Sequence, residues 1–222
     1  MIGKGGYAEV GQQFFEMAKK DVDAGDFFPI WGTCNGFELL TVLSSKDQSR
    51  LTACSSEDQA SPLRLIPNWD NSRVLGAAPP DVLKEVTEEK ITINFHHFCL
   101  TPENFTQFGL DKFWNALSYN YDIYKLEYLS LLEAKDYPFI ATQFHPEKNI
   151  FEWSLKEPMI PHSSAAIHVS LYFATHFVNM ARRSSHRFKD RETEESFLSY
   201  NFSPVYTGKK GIDSTFIEMY VF

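Results

Sequence analysis

Residues 27–40 constrain what this chain can fold into more than any other stretch. They read Phe27-Phe28-Pro29-Ile30-Trp31-Gly32-Thr33-Cys34-Asn35-Gly36-Phe37-Glu38-Leu39-Leu40. An apolar run leads into a glycine, a cysteine and a second glycine, and a helix-like apolar pattern then resumes. That is the pattern of a strand, a sharp turn and a helix with Cys34 at the tip, the glycines at minus two and plus two letting strand and helix pack closely around a strained residue. The helix aims its N-terminal dipole at the sulfur and favours thiolate over thiol. The backbone N–H of Asn35 is then a candidate oxyanion donor. A single cysteine among apolar residues has a plainer reading, a small buried hydrophobe, so a second stretch has to decide.

That stretch is Tyr137-Pro138-Phe139-Ile140-Ala141-Thr142-Gln143-Phe144-His145-Pro146-Glu147-Lys148. Apolar residues lead into His145, and Pro146 ends the strand. On an extended segment residues i and i+2 face the same way, so Glu147 can orient the His145 imidazole while His145 faces a thiol. A nucleophile, a base and an orienting carboxylate are what acyl transfer to cysteine requires. The plainer alternative is a rim histidine bonded to water.

The totals narrow the class. A chain of 222 residues with 43% hydrophobic and 15% aromatic content is globular, and residues 1–222 read as a single domain. The net charge of -8 argues against a nucleic-acid partner but leaves an acidic substrate open, because a local basic pocket can sit on an acidic surface. No apolar run approaches the roughly 20 residues of a membrane span. Cys34, Cys54 and Cys99 show no CxxC spacing, which disfavours a zinc site or a disulfide scaffold. The odd count leaves at least one free thiol, for which Cys34 is the natural candidate, and Cys54 reads as a buried structural thiol. No metal and no cofactor are implied.

Gly32-Thr33-Cys34-Asn35-Gly36-Phe37-Glu38 together with Gln143-Phe144-His145-Pro146-Glu147-Lys148 resembles the class I glutamine amidotransferase-like fold, and more narrowly the gamma-glutamyl hydrolase family. Trp31, Asn94-Phe95-His96, Asn104-Phe105-Thr106, Glu152-Trp153 and the late run from Phe202 to Gly208 carry the narrower likeness, which extends from about Tyr7 to the end. The elbow and the His-Pro-Glu motif would be shared with glutaminases. The resemblance implies a three-layer α/β, flavodoxin-like fold with a central, mostly parallel sheet. It implies cysteine-dependent hydrolysis of γ-glutamyl bonds in folylpoly-γ-glutamates, with Cys34, His145 and Glu147 catalytic and Asn35, Glu38 and His96 around the substrate. His96 would bind the γ-glutamyl carboxylate or support the thiolate. Glu38 would bond the substrate α-amino group or cap the turn. A lysosomal, vacuolar or extracellular location and a homodimer are further implications.

The same resemblance raises an expectation about the start of the chain. The family carries a signal peptide and βα units ahead of this helix, ending in a Pro-Gly-Gly loop that gives a second oxyanion N–H. No such stretch precedes Tyr7 here, and Gly3-Lys4-Gly5-Gly6 reads as a start without a role. The expectation is an N-terminally truncated domain with the first strands missing, an exposed sheet edge and exposed apolar surface. Two rival functions follow: a glutaminase that hands ammonia to a synthase, and a non-catalytic γ-glutamyl-binding fragment.

Along the chain, residues 7–24 pattern as a helix with Val10, Phe14, Phe15 and Met17 on one face. Residues 44–71 are polar and turn-rich, with short strands at 51–54 and 63–67, and 81–89 read as a helix capped by Asp81. Residues 91–98 alternate as a strand, which sends His96 and His97 to opposite faces. Asn104 is an N-glycosylation acceptor in a surface loop before a helix-like run at 110–117. Residues 125–134 and 139–144 read as paired strands. Residues 163–182 read as a helix with Ile167, Leu171, Ala174 and Val178 on its stripe, and 216–222 as a terminal strand.

Overall fold

The computed structural model describes residues 6–45, 51–209 and 214–221. The glycine-rich start at 1–5 lies outside the described residues. In order, the elements are α1 (Gly6–Asp23), β1 (Ile30–Thr33), α2 (Asn35–Ser45), β2 (Leu51–Ser61), β3 (Arg64–Leu65), α3 (Pro80–Glu88), β4 (Thr92–Leu100) and α4 (Pro102–Gln107), then β5 (Trp114–Tyr121), β6 (Glu127–Ala134), β7 (Phe139–Thr142), α5 (Lys148–Phe151), α6 (Ser164–Ala181), α7 (Arg191–Ser196), β8 (Val205–Tyr206) and β9 (Glu218–Met219).

The expected α/β fold is present. Its central sheet runs β1-β7-β6-β5-β3, with β1 at one edge of the described sheet. The sheet is mixed rather than mostly parallel: β1 and β7 pair in parallel, and the other three pairings are antiparallel. Short connections from β5 to β6 and from β6 to β7 impose this, since a tight turn can join only antiparallel neighbours. Alternation along β7 builds the layers. Phe139 and Ala141 enter a core with Phe15, Ala18, Phe37 and Leu40, while Ile140 enters the opposite one with Val82, Val86, Val169 and Phe173. Helices α1 and α2 thus cover one face and α3 and α6 the other.

Both long helices bury a face different from the one periodicity suggested. On α1 the buried residues are Ala8, Phe15 and Ala18, whereas Val10, Phe14 and Met17 are exposed. Small residues decide this: Gly11 lies so close to α2 that a Cβ on it would sit 2.5 Å from Leu39 Cδ2. On α6 the buried set is Ala166, Val169, Ser170, Phe173 and Met180, and Leu171 and Val178 face outward. Two stripes one residue apart have the same spacing, so the 3.6 period alone does not choose between them. Ser163 does cap α6, accepting the Ala166 N–H at 3.1 Å.

Local readings change in four places. β2 runs 11 residues rather than four, pairing with β4 as a separate antiparallel ribbon. Helix α3 starts on Pro79-Pro80, with Asp81 in its first turn instead of capping it, because the fixed φ of proline suits the first helical position. Residues 110–117 form a 3-10 turn and the start of β5, and Asn104 sits inside α4 with its amide nitrogen 3.0 Å from Thr52 Oγ1. The terminal strand is only β9, paired with β8.

Cys54 is not a free thiol. It is bonded to Cys99, tying β2 to β4 with a Cα–Cα distance of 5.9 Å, and Cys34 is the free cysteine. The register pairs Thr52 with Cys99, and the irregularity between Ala53 and Ser56 lies beside Cys54. That juxtaposition follows from the pairing of 51–54 with β4, which local sequence does not reveal.

Candidate active site

The elbow forms as its glycines suggest. β1 delivers Cys34 to the tip of the turn with φ 51°, a left-handed conformation that non-glycine residues rarely adopt. The turn is held by the Cys34 N–H, which donates to the Thr142 carbonyl at 2.7 Å, and by the Glu38 N–H, which donates to the Cys34 carbonyl at 3.0 Å. A Cβ on Gly32 would lie 2.6 Å from the Gly36 carbonyl oxygen, so strand and helix meet there backbone to backbone. Gly36 itself is open on its Cβ side, with only the Tyr7 hydroxyl at 4.0 Å. The close approach therefore requires Gly32 and merely tolerates Gly36.

The parallel pairing of β1 with β7 sets the cysteine elbow and the His-Pro-Glu stretch side by side: Thr33 is in register with Thr142, three residues before His145. The His145 N–H donates to the Ile93 carbonyl at 2.9 Å, which anchors the loop to β4. The His145 side chain lies close enough to Cys34 for the two to influence each other's charge, and its Nδ1 lies 2.6 Å from Glu147 Oε1. Burial by itself pulls this imidazole down, but the hydrogen bonds to Cys34 and Glu147 and the charge of both push it up to about 9. The geometry behind the His145–Glu147 contact differs from the extended i, i+2 spacing. Glu147 has helical φ and ψ, and the chain turns through Pro146 to begin α5. The carboxylate reaches the ring across that turn.

Cys34 Sγ lies 3.7 Å from the Phe95 carbonyl oxygen, an acceptor for the thiol proton. The Phe95 ring stands edge to face with His145, centroids 6.1 Å apart. Sequence reasoning passed over Phe95 because a backbone carbonyl leaves no residue-type signal, although it sits in the triplet already singled out.

His96 and His97 leave opposite faces of β4 as alternation requires, the first buried and the second exposed. His96 enters the ribbon. Its Nδ1 lies 3.6 Å from Cys54 Sγ and 3.5 Å from Cys99 Sγ, its Nε2 3.3 Å from Asn94 Oδ1, and its ring meets Tyr128 edge-on at 4.9 Å. Burial, reinforced by the charge of His145, pushes its pKa down to about 3, so the ring is neutral. Cys54, His96 and Cys99 bring three potential metal-ligand atoms within 4.8 Å, but the two sulfurs are joined to each other and neither is a thiolate.

Glu38 is 4% exposed, and its Oε1 accepts from Gln143 Nε2 at 3.5 Å. Desolvation pushes this carboxyl up to about 7, against the Gln143 hydrogen bond. The pair links the elbow helix to the strand end that carries His145. Asn35 is exposed at the first position of α2, where helix amides have no intrahelical acceptor, and its side chain hydrogen-bonds Tyr7. Cys34, His145 and Glu147 thus form one connected group. Asn35 and Glu38 lie on the helix beside it, and His96 lies on the far side of the β4 backbone from Phe95.

Among known proteins, no family model matches the chain. It is 40% identical over 217 residues to a gamma-glutamyl hydrolase from Homo sapiens, covering 97% of this chain and 66% of the relative. It is 39% identical over 218 residues to the gamma-glutamyl hydrolase of Rattus norvegicus (98% and 67%), and 35% identical to gamma-glutamyl hydrolase 1 of Arabidopsis thaliana (97% and 61%). The chain therefore spans about two thirds of the length of the curated relatives it matches. With that similarity over nearly all its residues, and with the cysteine elbow and the His-Pro-Glu loop brought together, the chain belongs to the gamma-glutamyl hydrolase family.

Proposed function

We propose that the protein hydrolyses γ-glutamyl bonds of folylpoly-γ-glutamates through a cysteine nucleophile, releasing glutamate and shortened folates. The observation that carries this reading is the convergence of Cys34 and His145 across the β1–β7 pairing, with His145 Nδ1 2.6 Å from Glu147 Oε1. The names of the relatives supply the bond type. The Cys34 thiolate adds to the γ-amide carbonyl carbon, and the carbonyl electron pair moves to oxygen, where the Asn35 N–H is the nearest helix-terminal donor. His145, held as imidazolium by its neighbours, gives its proton to the leaving amine as the C–N bond breaks. The resulting thioester is hydrolysed when His145 takes a proton from water, the hydroxide adds to the acyl carbon, and Cys34 leaves as thiolate.

The net charge of -8 speaks against a nucleic acid and leaves room for a small acidic substrate held in a local pocket. No helix among the described residues is long and apolar enough to cross a membrane. The Cys54–Cys99 bond suits an oxidising compartment, which supports a lysosomal, vacuolar or extracellular setting. The exposed stripe of Tyr7, Val10, Phe14 and Met17 on α1 is a suitable surface for a homodimer. The deciding assay compares glutamate release from a poly-γ-glutamyl folate with ammonia release from free glutamine. Glutamate release supports the reading; ammonia alone points to a glutaminase, and binding without turnover to a non-catalytic fragment.

A further inference from the structure

Lys148 opens α5 three residues after His145 and is almost enclosed. Its Nζ lies 3.0 Å from Glu157 Oε2, and both side chains are 11% exposed. The same ammonium sits over the Phe95 ring at 4.5 Å and over the Phe216 ring at 5.8 Å. Phe216 is held there by the C-terminal tail: its carbonyl accepts from Thr207 Oγ1 at 2.5 Å, and the next N–H, of Ile217, donates to Glu152 Oε1 at 3.1 Å. Phe95 is the residue whose carbonyl faces Cys34 and whose ring faces His145.

An ion pair this enclosed contributes little net stability, because desolvating both charges offsets their attraction. What it does supply is a fixed location for the ammonium. A cation over an aromatic face is attracted to the ring quadrupole, and more strongly when water is excluded. We infer that Lys148 is a positioning residue for the nucleophile: anchored by Glu157 and Phe216, it clamps Phe95 so that the Phe95 backbone and ring hold Cys34 and His145 in register. Lys148 does not touch the sulfur or the imidazole; it acts through Phe95. The kinetic half of this inference rests on the γ-glutamyl hydrolase reading, whereas the reactivity of Cys34 does not.

The test uses the full chain with its disulfide intact, so that iodoacetamide reports on Cys34 as the free thiol. Lys148→Met combined with Glu157→Gln removes both charges and leaves no orphaned carboxylate. It should lower the Cys34 alkylation rate and kcat by about 10-fold each, with KM within about twofold, the scale of losing a partly desolvated cation–π contact. Lys148→Arg keeps a cation over the ring and should retain most of both rates. Should the double variant lose its near-UV circular dichroism, Phe95→Leu, which spares the ion pair, must show the same two losses. An unchanged alkylation rate, a rise in KM at constant kcat, or an arginine variant as impaired as the double variant would each overturn the inference. If no variant, wild type included, turns over a γ-glutamyl substrate while alkylation still tracks the Lys148 variants, the functional reading fails and the positioning role stands.

Discussion

His145 Nδ1 and Glu147 Oε1 are 2.6 Å apart, although the Glu147 side chain is 52% exposed. A half-exposed carboxylate interacts through screened charge, so its main effect is to fix the ring's tautomer and orientation. The result is an imidazole with Nε2 free for the sulfur, and Cys34 first and Glu147 second raise its pKa to about 9 against the effect of burial.

Glu147→Gln is expected to lower kcat by about 10- to 100-fold, less than for a fully buried partner because water partly replaces it. In the proposed mechanism the imidazolium protonates the leaving amine, so activity should be lost as pH rises through the His145 pKa. Removing the carboxylate lowers that pKa, and the basic limb of the kcat profile should move down from about 9 toward the ordinary histidine value. A basic limb that stays in place would remove Glu147 from the role.

Cys34→Ala is expected to abolish hydrolysis of γ-linked glutamate chains while the thermal midpoint changes by no more than about 3 °C, since the site is only partly buried. Alanine keeps the left-handed φ of 51°, so the backbone strain of the elbow is common to both proteins. Turnover retained in this variant would take Cys34 out of the mechanism.

The elbow at Cys34 and the strand end at His145 were legible in the sequence because a strand-turn-helix junction and a proline-terminated strand both leave marks in residue type. The register that joins them was not, since Thr33 and Thr142 are 109 residues apart and only the parallel pairing brings them together. Elements were found where local signals are strong, as at the Ser163 cap or the alternation of β4. They were missed where tertiary contact overrides pattern. The 110–117 run reads as helical, yet Trp114 and Leu117 are drawn into a strand that fills both cores. His96 was placed on the correct face of β4, but its neighbours could not be seen, because they depend on a disulfide across a bulged ribbon.

Glu38 makes stability depend on pH in a definite direction. Its folded pKa, about 7, lies above the ordinary carboxyl value of 4.5, so between these values the native state holds more protons than the unfolded chain. Stability contributed by this group is therefore highest at low pH and falls as pH rises through that window, by about 3 kcal/mol at most. Glu38→Gln should flatten this fall and raise the urea midpoint at pH 8, with the new amide able to donate to Gln143 Oε1, a buried atom without a hydrogen-bond partner among the described residues. Contributions from His145 and His96 have their own windows but cancel in the comparison with wild type. Equal urea midpoints for the two proteins at pH 8 would show that Glu38 ionises at no cost.

The Cys54–Cys99 bond closes a sequence separation of 45 and ties together the ribbon that presents the Phe95 carbonyl to Cys34. Chain entropy sets its stabilisation at about 4 kcal/mol as an upper figure. The Cys54→Ser, Cys99→Ser double variant, made in a Cys34→Ala background to remove thiol exchange, should lose about 10 °C of thermal midpoint for a domain of this size. With Cys34 restored, the same double change should lower kcat as well, because β4 then holds the Phe95 carbonyl and the neutral His96 ring less firmly behind the sulfur. Adding a dithiol reductant to the Cys34→Ala protein should reproduce the loss of midpoint. A midpoint indifferent to both the substitutions and the reductant would mean that the two sulfurs remain thiols in solution. The ribbon would then be held by its backbone ladder, the Thr92 and Asn94 side-chain bonds to the Ser61 and Gln59 carbonyls, and the packing of His96 on Tyr128.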